Sequence, residues 1–556
     1  MFSPQLVCLL GLATAAATAP LQDAAPVVHL SLGSYYGISN SSRNVDQFLG
    51  IPFAQPPVGD LRFRHPQPIT SAWDDVRNAT SLQSECYQFS NTSAITGSED
   101  CLTINVVRPA GVVADAKLPV AIWIHGGGLV GGSNSNPVYD LSFFVEESAR
   151  IGKPVIAAAV NYRLHAFGYL WGSAIEAEGA GNLGFRDQRL ALGWVRDNVA
   201  AFGGDPEKIT IWGQSGGARG VASQLTAFGG RDDNLFRGAI MESATGFHTD
   251  FGEVRGSNVT WDGAFASVLE RVGCSAADNS LDCLRGVDST ELANVFGQTI
   301  FPSWLDIVDG DFIQAPRAQL VREGKFVHVP IINGITTDDG DYFAKRPINT
   351  DAEWRQWLRE GGAADDTIDE LSRLYPDDPA VGLPATFQGR PTGELAEEYG
   401  SQWKRAVAFG GDRAMQAPRR AWVHAWAAAG LTAYSYRFNV LSGQRPPIQG
   451  VGHSEEVAFV LHNLGLLPST DPKVVVGAEK FSKLADVMTG QWVNFVTDLD
   501  PNDGKSCTRW PAYEVEGGEN LLYVLETPSL TTREEDTFRA EEFAYLDIHP
   551  CVAIHM

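Results

Sequence analysis

The chain has 556 residues, and its 42 basic and 67 acidic side chains give a formal net charge of −25. A surface this acidic repels nucleic-acid phosphates and anionic lipid, so no nucleic-acid partner is expected. The hydrophobic fraction of 44% and charged fraction of 20% belong to a globular protein with a large core, not to a disordered or fibrous chain.

In chain order, the first element is the apolar run "LVCLLGLATAAATA" at residues 6–19, which ends in small residues as a secretory signal peptide does. Its positive end is only the terminal amine, and Pro20 directly after Ala19 favours cleavage after Ala17. With cleavage expected near Ala17 or Ala19, residues 1–19 are assigned to the signal and 20–556 to the mature domain. No other stretch reaches the ~18 apolar residues of a membrane span, so no integral span is expected and the mature protein should be exported. Of the seven cysteines, Cys8 leaves with the signal. The remaining six suggest three disulfides, and of the fifteen connectivities six cysteines allow, proximity along the chain favours Cys86 with Cys101, Cys274 with Cys283, and Cys507 with Cys551. None lies in a C-x-x-C motif, which argues against zinc or redox work. Asn40, Asn78, Asn91 and Asn258 lie in Asn-x-Ser/Thr sequons, the acceptor sites for surface glycans.

From Leu118 onward, strand, turn and helix recur. "LPVAIWIHGGG" and "KPVIAAAVNYRL" (from Lys153) are apolar runs. "FRDQRLALGWVRDNVAAFGG" carries Leu190, Trp194, Val195 and Val199 at helical spacing and stops at Gly203. "KITIW" (Lys208–Trp212), "FRGAIMES", "HVPIINGI" and "LTAYSYRFNV" are further strands. Continuous apolar strands alternating with helices predict an α/β protein with a parallel sheet covered on both faces.

Ligands of such sheets gather at the carboxyl ends of the strands. Beyond Ile124 lie His125-Gly126-Gly127-Gly128; beyond Trp212 lies Ser215, in Gly213-Gln214-Ser215-Gly216-Gly217. That pattern is a nucleophile elbow, in which glycines let a strand turn sharply into a helix around an exposed serine. Beyond "IINGI" lie Asp338, Asp339 and Asp341, and beyond "YSYRFNV" lies His453. A serine hydroxyl needs a base to take its proton, and imidazole is the side chain that titrates nearest neutrality. A carboxylate behind the imidazole fixes its tautomer, and a glycine triplet bares backbone N–H groups for an oxyanion. Each feature alone has an ordinary reading as a loop, a core histidine or a solvated acidic turn. Together, in the order Ser, Asp, His on one sheet edge, they predict a serine hydrolase. "DLDPNDG" from Asp498 resembles a calcium loop except that Asp503 stands where that loop needs glycine, so it reads as a turn. No metal and no cofactor are expected.

On these motifs the sequence resembles the type-B carboxylesterase family, which includes cholinesterases and fungal lipases. The resemblance runs through "FLGIPFAQPPVGDLRF" (Phe48–Phe63), "SEDCLTINV" (Ser98–Val106), "IHGGGLVGGS" (Ile124–Ser133), "NYRLHAFGYL" (Asn161–Leu170), "GNLGFRDQRLALGWV" (Gly181–Val195) and "FGGDPEKITIWGQSGG" (Phe202–Gly217). It implies an α/β-hydrolase fold with large helical insertions. It also overrides the several domains that length suggests, because one site draws on residues from Gly127 to His453: residues 20–556 form a single domain. Position by position it implies Ser215 as nucleophile, His453 as base, and the N–H groups of Gly127, Gly128 and Gly216 as the oxyanion hole. The family's acid turn corresponds to "GITTDDG" and selects Asp339.

Most members carry glutamate at that position. The shorter aspartate requires either a closer turn or a substitute, Asp338 or Asp341. Family members that bind choline esters use a tryptophan inside the first disulfide loop and a glutamate before the serine. Here no tryptophan lies between Cys86 and Cys101, and Gln214 is uncharged. That loop is also the lid of fungal lipases, where it is much longer, so soluble or short-chain small-molecule esters are expected. The rivals are an exported enzyme passing the acyl group to another acceptor, and a non-catalytic binding protein on the same fold.

Overall fold

Strands and helices follow from where the apolar residues recur. A computed structural model describes residues 25–89, 95–244, 259–302, 306–467, 472–504 and 508–548. A small three-stranded sheet joins β1 (Val27–His29), β2 (Ser34–Tyr36) and β5 (Val76–Asn78). The large sheet contains β3 (Ile38–Asn40), β4 (Val45–Pro52), β6 (Thr103–Pro109), β7 (Leu118–Ile124), β8 (Ile156–Val160) and β9 (Gly204–Gln214). It continues with β10 (Gly238–Glu242), β11 (Ile331–Thr336), β12 (Ala433–Phe438), β13 (Glu519–Tyr523) and β14 (Thr531–Glu535). Its order is β14-β13-β12-β11-β10-β9-β7-β8-β6-β4-β3.

From β8 to β13 neighbouring strands run parallel, and the flanking strands pair antiparallel. The parallel centre matches the sequence reading, since every residue of β8, β10 and β11 is buried and only a strand covered on both faces can be apolar throughout. In β7, Val120, Ile122 and Ile124 join one core with Phe185, Leu192, Val221 and Leu225. Those residues belong to helices Leu183–Asn198 and Gly216–Gly230. Ala121 and Trp123 face the other way, with Trp212, Phe144, Met488 and Trp492. The last three sit on helices Ser142–Arg150 and Pro472–Asp498. Each large side chain so buried contributes roughly 1.5–3 kcal/mol. The period of two along the strand is what splits the core into two layers.

Two helical insertions carry cores of their own. Between β11 and β12, helices Asp351–Glu360, Asp365–Leu374 and Trp403–Gly411 pack around Trp354, Trp357, Trp403 and Phe409. Between β10 and β11, helices Trp261–Arg271, Ser280–Gly286 and Ser289–Gly297 pack around Val268, Leu284 and Phe296, against Phe63 and Phe167.

Cys86 is bonded to Cys101 and Cys274 to Cys283, as proximity along the chain predicts. Cys507, Cys551, Asn91, Asn258 and the N-terminal apolar run lie outside the described residues. Asn78 is exposed and Asn40 half-buried at a strand end. Among the described residues no helix is long and apolar enough to cross a membrane.

Candidate active site

The glycines around Ser215 are explained by what surrounds them. β9 ends at Gln214, Ser215 turns with φ 56° and ψ −125°, and the helix starts at Gly216. A Cβ on Gly213 would lie 2.5 Å from the Gly217 carbonyl carbon, and one on Gly217 would collide with the Ile124 carbonyl oxygen. Side chains at either position would push strand and helix apart. A left-handed, non-glycine residue costs of order 1–3 kcal/mol, and here it leaves the Ser215 hydroxyl half-exposed at the head of a helix. The Ser215 N–H is held by the Glu242 carbonyl at 2.8 Å.

His453 Nε2 lies 2.8 Å from Ser215 Oγ, and its Nδ1 lies 2.6 Å from Asp339 Oδ1. The other carboxylate oxygen, Oδ2, accepts the Thr336 N–H at 3.0 Å and the Ser243 hydroxyl at 3.0 Å. Asp339 is wholly buried and His453 5% exposed. Three strands that are far apart in sequence thus deliver one linear chain of hydrogen bonds, because their carboxyl ends share an edge. The aspartate is long enough because the turn after β11 sits close to His453.

Gly127 and Gly128 adopt φ 110° and 63°. The Gly127 carbonyl accepts the N–H groups of Val130 and Gly131, at 3.1 and 3.0 Å, which curls this loop over the elbow. A Cβ on Gly216 would lie 3.0 Å from Gly128 N, so the glycine loop and the helix start abut. As first residue of its helix, Gly216 has an N–H with no intrahelical acceptor, at the positive end of the dipole. Behind the loop, burial holds His125 down at about 4, hence neutral. Its Nδ1 donates to the Gly126 carbonyl at 2.9 Å while Tyr162 donates to the His125 carbonyl at 2.7 Å. The first disulfide loop is clipped to the following residues of the same loop: Gln88 exchanges two bonds with Gly132, at 3.1 and 3.0 Å, and Phe89 N–H donates to Val130 O at 2.9 Å.

Asp338 and Asp341 are not the solvated acidic residues of an ordinary turn, being 2% and 5% exposed. Neither touches the imidazole nitrogens; each grips backbone of the histidine loop instead. Asp338 Oδ2 accepts the Val451 N–H at 2.8 Å, and Asp341 Oδ1 accepts the His453 N–H at 3.0 Å. Burial pushes Asp338 up to about 7 and raises Asp341. Beneath the elbow, burial pushes Glu242 up to about 8, with Trp212 and Trp492 donating to its Oε1 at 2.7 and 2.8 Å, and raises Glu456 strongly. "DLDPNDG" is a turn: Asp498 ends a helix and pairs with Lys153, and Asp500 accepts from Asn502.

Sequence reasoning missed Ser243 and Arg445. Ser243 directly follows β10, so the carboxyl-end rule applied to every strand would have found it. Arg445 sits in "SGQRPP", where nothing in the sequence ties it to a site.

Residues 24–545 match the family model described as the carboxylesterase family. The chain is 35% identical to Lipase 4 of Diutina rugosa, over 95% of this chain and 96% of that one. It is 33% identical to Secreted lipase 1 of Botryotinia fuckeliana (strain B05.10), over 95% and 94%. Among solved structures it is similar to Aspergillus niger EstA, with a TM-score of 0.80 and 27% identity over 96% of this chain and 100% of that one. The fold is the α/β-hydrolase fold that the sequence resemblance implies.

Proposed function

The chain belongs to the carboxylesterase family, and from that premise we propose that this carboxylic ester hydrolase works through an acyl-enzyme on Ser215. The observation that carries the reading is the unbroken line Ser215 Oγ, His453, Asp339, at 2.8 and 2.6 Å. His453 Nε2 takes the hydroxyl proton as Oγ bonds to the ester carbonyl carbon. The carbonyl oxygen, now an anion, is received by the N–H groups of Gly127, Gly128 and Gly216, each such donor being worth about 10²- to 10³-fold in rate. His453 returns the proton to the departing alkoxide, leaving the acyl group on Ser215. Water then attacks with His453 again as base, and the acid leaves. Asp339 keeps the Nδ1–H tautomer and stabilises the imidazolium; Ser243 and Thr336 hold its other oxygen so that it cannot rotate away.

The substrate class is small, soluble or short-chain esters. The loop between Cys86 and Cys101 is short and hydrogen-bonded to the glycine loop through Gln88 and Phe89. Gln214 beside the nucleophile carries no charge to hold a quaternary ammonium. Export rests on the apolar run at 6–19, the two disulfides and a relative named as secreted, with residues 20–556 as one hydrolase domain.

A panel of p-nitrophenyl esters graded by acyl length tests this. Hydrolysis should be fastest for the acetate and butyrate and fall steeply toward the palmitate. A maximum at palmitate that needs an emulsion would overturn the substrate class, and undiminished turnover by Ser215→Ala would overturn the mechanism.

A further inference from the structure

Both polar groups of the His453 peptide are held by a single ion pair. Asp341 Oδ1 accepts the His453 N–H at 3.0 Å, and Arg445 Nη2 donates to the His453 carbonyl at 2.7 Å. The two side chains are joined by Arg445 Nη1 to Asp341 Oδ2 at 2.6 Å, which closes a ring of three bonds around that one residue. Glu455, itself buried, lies 3.7 Å from Arg445 Nε and accepts the Ser442 hydroxyl, so the guanidinium is fixed from behind. The glycine before His453 is shaped by the same contact, since a Cβ on Gly452 would lie 2.8 Å from both Arg445 Cδ and Asp341 Oδ2. One turn earlier, Asp338 exchanges two bonds with Val451, its N–H to the Val451 carbonyl at 2.9 Å and its Oδ2 from the Val451 N–H at 2.8 Å.

We propose that Asp341 and Arg445 act together as a positioning pair that clamps the His453 backbone, so that the imidazole stays in line between Asp339 and Ser215. The inference rests on the triad reading above. Division of labour follows from geometry: Asp339 fixes the ring through Nδ1, whereas Asp341 and Arg445 fix the backbone that carries the ring. Neither touches a reacting atom. A histidine on a loop without strand or helix bonds at its own peptide has two soft torsions through which its ring can drift. Drift of about 1 Å at a catalytic group costs of order 10²-fold in rate. A charge-assisted ring of bonds removes that freedom, and its partial burial keeps water from competing for the same groups.

The test is steady-state kinetics on p-nitrophenyl butyrate for Arg445→Met, Asp341→Asn, the double variant and Gly452→Ala, with Ser215→Ala alongside. Arg445→Met and Asp341→Asn should each lower kcat about 10- to 100-fold while KM stays within about threefold. The double variant should be no worse than about threefold below the poorer single, because both remove one device. Arg445→Lys, which can pair with Asp341 or reach the carbonyl but not fork between them, should lie between wild type and Arg445→Met. Gly452→Ala should lower kcat by wedging the pair apart with both charges intact. Equal kcat for wild type, Arg445→Met and Asp341→Asn would overturn the clamp, as would losses that multiply in the double variant or that fall on KM alone. Should Arg445→Met fail to fold by circular dichroism, Arg445→Lys and Gly452→Ala decide the matter by the same kcat criterion. An active Ser215→Ala would overturn the triad reading and the clamp with it, whereas an inactive Ser215→Ala beside equal kcat in the clamp variants overturns the clamp alone.

Discussion

At Asp339 the length of one methylene decides how the turn after β11 must sit. The carboxylate reaches His453 Nδ1 at 2.6 Å while its second oxygen is spent on Thr336 and Ser243, so all its acceptor directions toward the protein are used. Asp339→Asn keeps the size and presents the wrong tautomer to the ring; kcat should fall by roughly 10⁴ with the circular dichroism spectrum unchanged. Ser215→Ala should cost of order 10⁶ in kcat if the three residues work as a unit. Activity above a tenth of wild type in either variant would remove that residue from the mechanism. Asp338 was open as an alternative acid from sequence. It grips Val451 and not the ring, so Asp338→Asn, which can still accept the Val451 N–H, should cost less than about tenfold.

Two disulfides of similar chemistry sit on different elements, and this separates stability from activity. The Cys86–Cys101 bridge closes a loop with a sequence separation of 15 whose Gln88 and Phe89 are bonded to the glycine loop. The Cys274–Cys283 bridge, with a separation of 9, ties one helical insertion to itself. Breaking either frees the unfolded chain by an amount that grows slowly with loop length, about 3 kcal/mol for the first. Both Cys86→Ser/Cys101→Ser and Cys274→Ser/Cys283→Ser should therefore lower Tm. Only the first should also lower kcat, because it alone loosens the glycine loop whose N–H groups we propose as oxyanion donors. An equal loss of kcat in both pairs, measured well below each Tm, would mean that the glycine loop does not depend on its disulfide neighbour.

Across the whole molecule, buried carboxyls set how stability follows pH. Burial pushes Glu242 up to about 8, Asp338 and Glu455 to about 7 and Asp412 to about 6. In the unfolded chain these groups ionise at ordinary carboxyl values, near 4. Each is therefore favourable to the fold below that range, and its contribution is lost as pH rises through the folded-state value. Asp536 runs the other way: burial opposes its charge, but Arg419 and Arg420 outweigh it and hold the carboxyl far below the usual range. Its contribution is full above the unfolded value and lost in acid. Together with a net charge of −25, whose self-repulsion grows with ionisation, these terms place the maximum of Tm near pH 5, with a decline toward pH 9. Scanning fluorimetry at constant ionic strength checks the curve. Glu242→Gln, which can still accept from both indoles but cannot ionise, should change Tm least near pH 4 and raise it increasingly relative to wild type toward pH 9. A Tm that climbs from pH 5 to pH 8 in wild type would contradict the assignment.

By itself the sequence determined what depends on neighbours along the chain. The apolar runs of β7 and β8 specify a covered parallel sheet because burial on both faces leaves no polar positions. The glycines at 213 and 217 specify an elbow because a side chain at either would collide with backbone. The carboxyl-end rule then gathers Ser215, Asp339 and His453 on one edge, even though the contacts themselves span more than a hundred residues. Only the tertiary structure decided how three neighbouring carboxylates divide their work. Asp338, Asp339 and Asp341 are alike in composition and spacing, and local pattern gives no reason to bury two more of them. Which atom each one meets depends on the path of residues 450–453 and on Arg445, brought in from a loop after β12 by packing that no short-range signal encodes. The same holds for Ser243: a serine at a strand end is common, and it becomes part of the site only because β10 and β11 lie side by side.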